Sequence, residues 1–305
     1  MSNSETTPHI TTARASGRRV VITGAASGFG LLTAKALLEQ GDGVVATMRD
    51  IAGRNASIAY DLEVFAKAQP GSLTVVELDV TDDTSVSAAA AKILAQGAVD
   101  VVVNNAGVMN VGVTEAYTID EVKAQFDVNT FGPARVAKAF LPDMRARRSG
   151  LLINVSSLAG RLVFPFFGVY CASKFALEAL VEAYRYELSS FGVDCIIVEP
   201  GPFDSGLLPR SPSPSDAAII SSYGEVSQIP GAMKANFQQM YDGPDAPRSQ
   251  DVADAIVALI RQEGRRPLRT VVMPKGLDFG VDRLNAAVSE IQNGVLTGMQ
   301  FTDMI

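Results

Sequence analysis

Tyr170 and Lys174 stand four residues apart in VYCASKFAL, residues 169–177. That spacing places both side chains on one face of a helix. A phenol titrates near pH 10 and is a poor proton donor or acceptor at neutral pH, but a nearby ammonium stabilises the phenolate and lowers that value. The couple could therefore perform general acid–base chemistry on a substrate oxygen. Taken alone, the spacing is met equally well by a Tyr–Lys pair that decorates a helix. Ser156 and Ser157, in INVSSLAG, close an apolar β-branched run. A hydroxyl there could donate to a developing oxyanion, or it could simply turn the chain. Asn129, in FDVNTFG, interrupts a helical pattern. Asparagine is a mediocre helix-interior residue, so it needs a reason, and a bond to a backbone carbonyl would supply one.

The usual acid–base residue is missing from this neighbourhood. The only histidine is His9, in the Ser/Thr-rich opening segment. A Ser–His–Asp hydrolase and a histidine-rich metal centre both lack their central residue, and no metal site is expected. The two cysteines, Cys171 and Cys195, have no CxxC spacing. They fit a reducing, cytoplasmic setting, with Cys171 filling a helix and Cys195 a buried strand. A net charge of −7 argues against nucleic acid as a partner, and no run approaches the roughly 18 apolar residues of a membrane span.

A second centre lies upstream. TGAASGFG, residues 23–30, carries Gly24, Gly28 and Gly30. Glycines let a turn pass close to a pyrophosphate, and the helix that follows offers free N–H groups and a favourable dipole to the anion. The elements that must hold these centres can be read from hydrophobic pattern. Strands are predicted at 19–23, 43–47, 73–78, 99–103, 151–155, 193–198 and 270–273. Helices are predicted near 29–40, 54–69, 84–96, 119–147, 169–190 and 249–263. The strands are apolar on consecutive residues, as expected where helices cover both faces of a parallel sheet. The expectation is one α/β, doubly wound, Rossmann-type domain with a seven-stranded parallel sheet over residues 18–273. A flexible tail (1–17) is expected to precede it and a helical extension (274–305) to follow. Residues 201–247 are expected to be a substrate loop, because so long a connection is usually functional.

TGxxxGxG at 23–30, NNAG at 104–107 and YxxxK at 170–174 together resemble the classical short-chain dehydrogenase/reductase family. The resemblance covers roughly residues 18–273, and VYCASKFALEAL is similar to steroid and retinol dehydrogenases of that family. It implies hydride transfer between a nicotinamide dinucleotide, through its pro-S hydrogen, and a ketone, aldehyde or alcohol. Tyr170 would be the proton donor or acceptor. The family's serine stands thirteen positions before the tyrosine, which is Ser157. Ser156 would then be a neighbour with a packing or backbone-bonding role, and Asn129 would hold a water linking Lys174 to a proton relay. The same resemblance assigns cofactor contacts to Gly24, Ser27, Gly28, Phe29 and Gly30, then to Asp79 and Val80, and to Asn105, Ala106 and Gly107. Tyr170, Lys174, Pro200 and Gly201 complete the set, with Ser205 where the family has a threonine. Asn104 could tie neighbouring strands, and Asp79 could equally be a strand-end or capping carboxylate.

The second strand ends Met48-Arg49-Asp50. A 2′-phosphate calls for an arginine and a 2′-hydroxyl for a carboxylate. In similar proteins the acidic residue falls at Met48 and the arginine at Arg49, so NADP(H) is favoured. NAD(H) remains the alternative, with Asp50 taking the ribose hydroxyls. Phe164, Phe166, Phe167, Met109 and Leu162 suggest an apolar pocket for a bulky carbonyl or alcohol substrate. Reduction of carrier-bound 3-oxoacyl chains and a non-catalytic dinucleotide sensor are the competing readings. A homodimer through 119–147 and 169–190, or a homotetramer, is the family habit.

Overall fold

The structure, a computed structural model, describes residues 17–304. The expected tail over 1–17, His9 included, lies almost wholly outside the described residues. Seven strands form one parallel sheet: β1 (Arg19–Ile22), β2 (Gly43–Met48), β3 (Ser72–Glu77), β4 (Val101–Asn104), β5 (Gly150–Val155), β6 (Val193–Pro200) and β7 (Arg269–Val272). Their order is β3-β2-β1-β4-β5-β6-β7. The register runs Val21↔Val45 on one side of β1 and Val21↔Val102 on the other. The order therefore reverses direction at β1, and in open α/β sheets the crevice beyond the strand ends at such a point receives ligands.

Alternating strand residues feed two cores. Val20, Ile22 and Val44 pack under α1 (Gly28–Glu39), α2 (Ala56–Ala66) and a later helix, Gln250–Arg261, through Leu37, Leu62 and Ile256. Val21, Val45 and Val102 pack on the opposite face with Ile93 of α3 (Asp83–Leu94), Phe140 of a central helix and Leu177 of the Tyr170 helix. Burial on both sides is what the unbroken apolar runs required.

Two segments depart from expectation. The helix predicted over 119–147 is three pieces: α4 (Ile119–Phe126), a π-helical turn (Asp127–Phe131) and α5 (Gly132–Arg147). A capping box on Thr118 and Glu121 starts α4. The π turn, the kind of single-turn bulge that often sits at functional sites, contains Asn129. The Tyr170 helix is α6 (Gly168–Glu187). The segment expected as a substrate loop is largely helical, with α7 (Ala217–Ser222), a 3₁₀ turn (Gly224–Gln228) and α8 (Ile229–Asp242). Asp216 caps α7 by accepting from the Ile219 N–H, and Pro230 opens α8. Met233, Phe237 and Tyr241, one turn apart on α8, pack against Val111, Phe167 and Tyr170. Gln250–Arg261 is α9, and the extension supplies α10 (Val281–Gly298). Among the described residues no helix is long and apolar enough to cross a membrane.

Candidate active site

Thr23, immediately after β1, organises the glycine turn. Its Oγ accepts the N–H groups of Asn105 and Ala106 at 3.0 and 3.1 Å. The Asn105 amide answers by donating to the carbonyls of Thr23 and Gly24 at 2.9 and 3.2 Å. Gly24 has φ +66°, and a Cβ there would stand 2.9 Å from the Ala106 Cα. Gly28 has φ +54°, and its Cβ would lie 2.6 Å from the Ser205 carbonyl oxygen. Both positions therefore need glycine for conformation and for space. Ser27, the residue before α1, makes no side-chain cap, which leaves the helix N-terminus open to an anion. Its Oγ instead accepts from Arg210 at 3.2 Å. Asn104 donates to Asn154 at 2.9 Å and so ties β4 to β5.

At the outer end, Arg49 leaves β2 half exposed with its guanidinium 3.7 Å from Asp79. Asp82 caps α3, and Asp79 closes a tight local turn by accepting the N–H and Oγ of Thr81 at 2.9 and 2.7 Å. Burial pushes the Asp79 carboxyl up, but these bonds and Arg49 outweigh it and hold the group below its ordinary value. Asp50 takes the left-handed conformation (φ 51°) and accepts the Arg54 N–H. The Val80 carbonyl is held by Arg135 at 3.2 Å.

At the inner end Tyr170 and Lys174 are both buried, 7% and 5% exposed. Lys174 Nζ donates to the Val155 carbonyl at 2.8 Å and stands 5.9 Å from the Tyr170 ring centre. Ser157 lines the same cavity as Tyr170, and its oxygen accepts the Ala159 N–H at 3.1 Å. Burial pushes the Tyr170 phenol up to about 12, with the Ser157 hydroxyl acting the other way. Burial likewise pushes the Lys174 ammonium down to about 8 against the pull of Glu178. The expected lowering of Tyr170 by Lys174 is therefore not a property of the protein alone. Desolvation prevails, because the ammonium is held on a carbonyl rather than against the phenol.

Asn129 is fully buried, and its side chain is already engaged. Oδ1 accepts the Val108 N–H at 2.9 Å, while Nδ2 donates to the Val108 carbonyl at 2.9 Å and to Ser173 Oγ at 3.1 Å. Ser156 bonds a side chain, not backbone: its Oγ donates to Glu178 at 2.8 Å.

These pieces meet at a cavity of about 220 Å³. Phe29, Asn105, Gly107, Ser157, Tyr170, Lys174, Pro200, Gly201 and Ser205 all line it. Gly24, Ser27, Gly28, Gly30, Ala106, Arg49, Asp79, Val80 and Asn129 are not in its lining, although Gly28 and Gly30 abut the lining residues Ser205 and Asn105, and Asn129 abuts Gly107. Of the apolar candidates, Phe164, Phe167 and Met109 line the cavity, whereas Phe166 and Leu162 do not. Phe166 adopts φ 67° and spends its carbonyl on the Gly112 N–H, a turn that swings it out of line with its neighbours. The apolar wall also takes Phe203, Met233, Phe237 and Tyr241 from the segment expected to be a substrate loop, and Phe279 from the extension, none of them singled out individually by the sequence. The period-four stripe Met233–Phe237–Tyr241 was the available signal for three of them.

The family model for short chain dehydrogenases matches residues 18–214. The 17-beta-hydroxysteroid dehydrogenase type 1 of Homo sapiens is 36% identical over 249 residues, 79% of this chain and 74% of that protein. Retinol dehydrogenase 8 of Bos taurus is 38% identical over 263 residues, covering 83% of this chain and 80% of that protein. Some other relatives are matched over only 53% of their own length. The crystal structure of a metagenomic short-chain oxidoreductase in complex with NADP superposes with a TM-score of 0.66 at 28% identity, covering 86% of this chain and 99% of that one.

Proposed function

The chain belongs to the short-chain dehydrogenase family and is an oxidoreductase of that family; from that premise we propose that it interconverts a bulky hydrophobic ketone or aldehyde and its alcohol using NADP(H). The observation that carries this reading is the meeting of Ser157, Tyr170 and Lys174 in the wall of one apolar cavity. The nicotinamide, when bound, supplies or takes up the hydride. In the reducing direction Tyr170 gives its proton to the carbonyl oxygen, and a phenol held protonated by burial is suited to that task. Ser157 donates a second hydrogen bond to the same oxygen as charge develops. Lys174 takes its place under the phenol from the Val155 carbonyl. Asn129 is assigned to the water of the proton relay, a duty that falls to the main chain of its π turn because its side chain is engaged.

The cradle fits a dinucleotide. Gly24 and Gly28, where a Cβ would strike Ala106 and the Ser205 carbonyl, let the turn close tightly, and Ser27 leaves the N–H groups at the start of α1 uncapped for the pyrophosphate. Arg49 is half exposed and steadied by Asp79, which leaves its planar fork free for a 2′-phosphate. The neighbouring solved structure with NADP supports that choice over NAD(H). The wall of Phe164, Phe167, Phe237 and Phe279 suits a large apolar substrate, in keeping with the steroid and retinol named for the relatives. Phe175 and Leu180, exposed on α6, offer apolar surface to a second copy. The direct test follows absorbance at 340 nm with NADPH and NADH over steroid, retinoid and thioester carbonyls. Turnover of the bulky apolar carbonyls with NADPH is expected. Turnover restricted to thioesters would move the assignment to carrier-bound acyl chains, and failure to bind either dinucleotide would end it.

A further inference from the structure

Behind Ser157 and Lys174 lies a second, buried set of charges. Glu178 and Glu182 come from α6, Glu199 from β6, Arg269 from β7, Arg161 from the segment after β5, and Asn285 from α10. Arg269 Nε donates to Glu178 Oε2 at 2.9 Å, and its other arm donates to Glu182 at 2.6 Å. Arg161 donates to Asn285 Oδ1 at 2.8 Å and stands 4.0 Å from Glu178. Asn285 donates onward to Glu199 Oε2 at 2.6 Å. Three carboxyls thus face two guanidiniums.

Glu199 is fully buried, and its Oε1 is left without a hydrogen-bond donor. The nearest cation, Arg269 Nε, is 3.4 Å away and already committed to Glu178. Glu178 Oε2 and Glu199 Oε1 thus converge on one guanidinium nitrogen, at 2.9 and 3.4 Å. Two ionised carboxylates crowded there repel each other, and a bare buried oxygen is costly to keep. A proton on Oε1 relieves both problems, because it removes one of the two charges and gives the bare oxygen a hydrogen to share with its neighbour.

We propose that Glu199 is a positioning residue of the active site, protonated at neutral pH and sharing that proton with Glu178. The bond joins the parts that carry the chemistry. Glu199 precedes Pro200 and Gly201, Glu178 follows Lys174 by one turn, and Ser156, bonded to Glu178, precedes Ser157. Through Asn285 the same lock holds the C-terminal helix α10, whose leading segment puts Phe279 into the cavity. Burial, together with the charge of Glu178, pushes Glu199 up to about 8, against Asn285 and Arg269. A carboxyl raised in the folded state adds stability that is full below its ordinary value, near 4.3, and is lost as pH rises to about 8.

The proton is tested without any assay of activity, by thermal unfolding of wild type and Glu199→Gln from pH 5 to 9. Glutamine imitates the protonated acid, so its Tm relative to wild type should climb with pH and level off above about 8. A difference that stays constant across the range would overturn the shared proton. The positioning role rests on the oxidoreductase reading and is tested by turnover. Glu199→Gln should keep kcat within about twofold at pH 7 and hold a larger share of it at pH 9 than wild type does. Glu199→Leu should lower kcat about tenfold or more with the dinucleotide Kd nearly unchanged. Full kcat in Glu199→Leu would overturn the role. If that variant does not fold, an identical loss of kcat at pH 9 in wild type and Glu199→Gln would overturn it. A wild type inactive on every carbonyl would fail the functional reading alone, while the unfolding curves still decide the proton.

Discussion

The two ends of the cleft are built from different materials. Around Thr23, Asn105 and the glycines the structure is mostly main chain, fixed by short hydrogen bonds between two neighbouring loops. Around Phe164, Phe167, Phe237 and Phe279 it is side chain, contributed by segments far apart in sequence and held by apolar contact. A main-chain site constrains residue type at fixed spacing, since only glycine meets both the angle and the clearance at Gly24 and Gly28. A side-chain wall constrains only size and hydrophobicity, which many sequences satisfy. The first end is therefore suited to one ligand shared by many proteins, and the second to a ligand that changes from one protein to the next.

That contrast can be broken at several points. The junction of the two ends should be the most sensitive. Tyr170→Phe removes only the proton donor, so kcat should fall about 10²–10⁴-fold while NADPH binding, followed by fluorescence titration, stays near wild type. Retained turnover would remove Tyr170 from its role. The outer cofactor end comes next. Arg49→Asp should cost NADPH about 10–100-fold in kcat/KM and leave NADH much less affected, as expected for the loss of a charge-assisted bond. Equal losses would show that Arg49 does not meet a 2′-phosphate. The substrate end should respond least. Phe237→Ala should raise KM for a bulky ketone about tenfold, with a smaller effect on a short one and little change in NADPH affinity. An equal effect on both substrates would argue that α8 supports the fold rather than selecting the ligand.

Legibility in the sequence follows the same division. The strands could be read because burial on both faces leaves no alternation to confuse, and observed ends fall within about two residues of the predicted ones. The glycine turn and the Tyr170–Lys174 spacing could be read because local geometry dictates them. Helix α8 was hidden by the Pro- and Ser-rich stretch before it, which reads as loop although Met233, Phe237 and Tyr241 keep a helical period. Phe166 looked equivalent to Phe164 and Phe167 until its backbone was seen to turn over. The Glu178–Glu199 lock could not be read at all, because its members come from five separate segments and each passes alone for a surface charge. The raised pKa of Tyr170 in the protein alone is illegible for a related reason, since sequence shows that a lysine is near but not that a carbonyl holds it.

The π turn at Asp127–Phe131 makes chain length itself a functional quantity. Each residue advances a helix by roughly 100°, so one deletion there would restore an uninterrupted α-helix and rotate α4 by about that angle against α5. Gln125, at the end of α4, and Asn129, inside the turn, both donate to the Val108 carbonyl, at 2.7 and 2.9 Å, and could no longer do so together. Such a variant would keep its hydrophobic pattern, its caps and every side chain in the cavity wall. It would still lose the phasing between Val108, in the loop after β4, and the helix that carries Ser173 and Lys174.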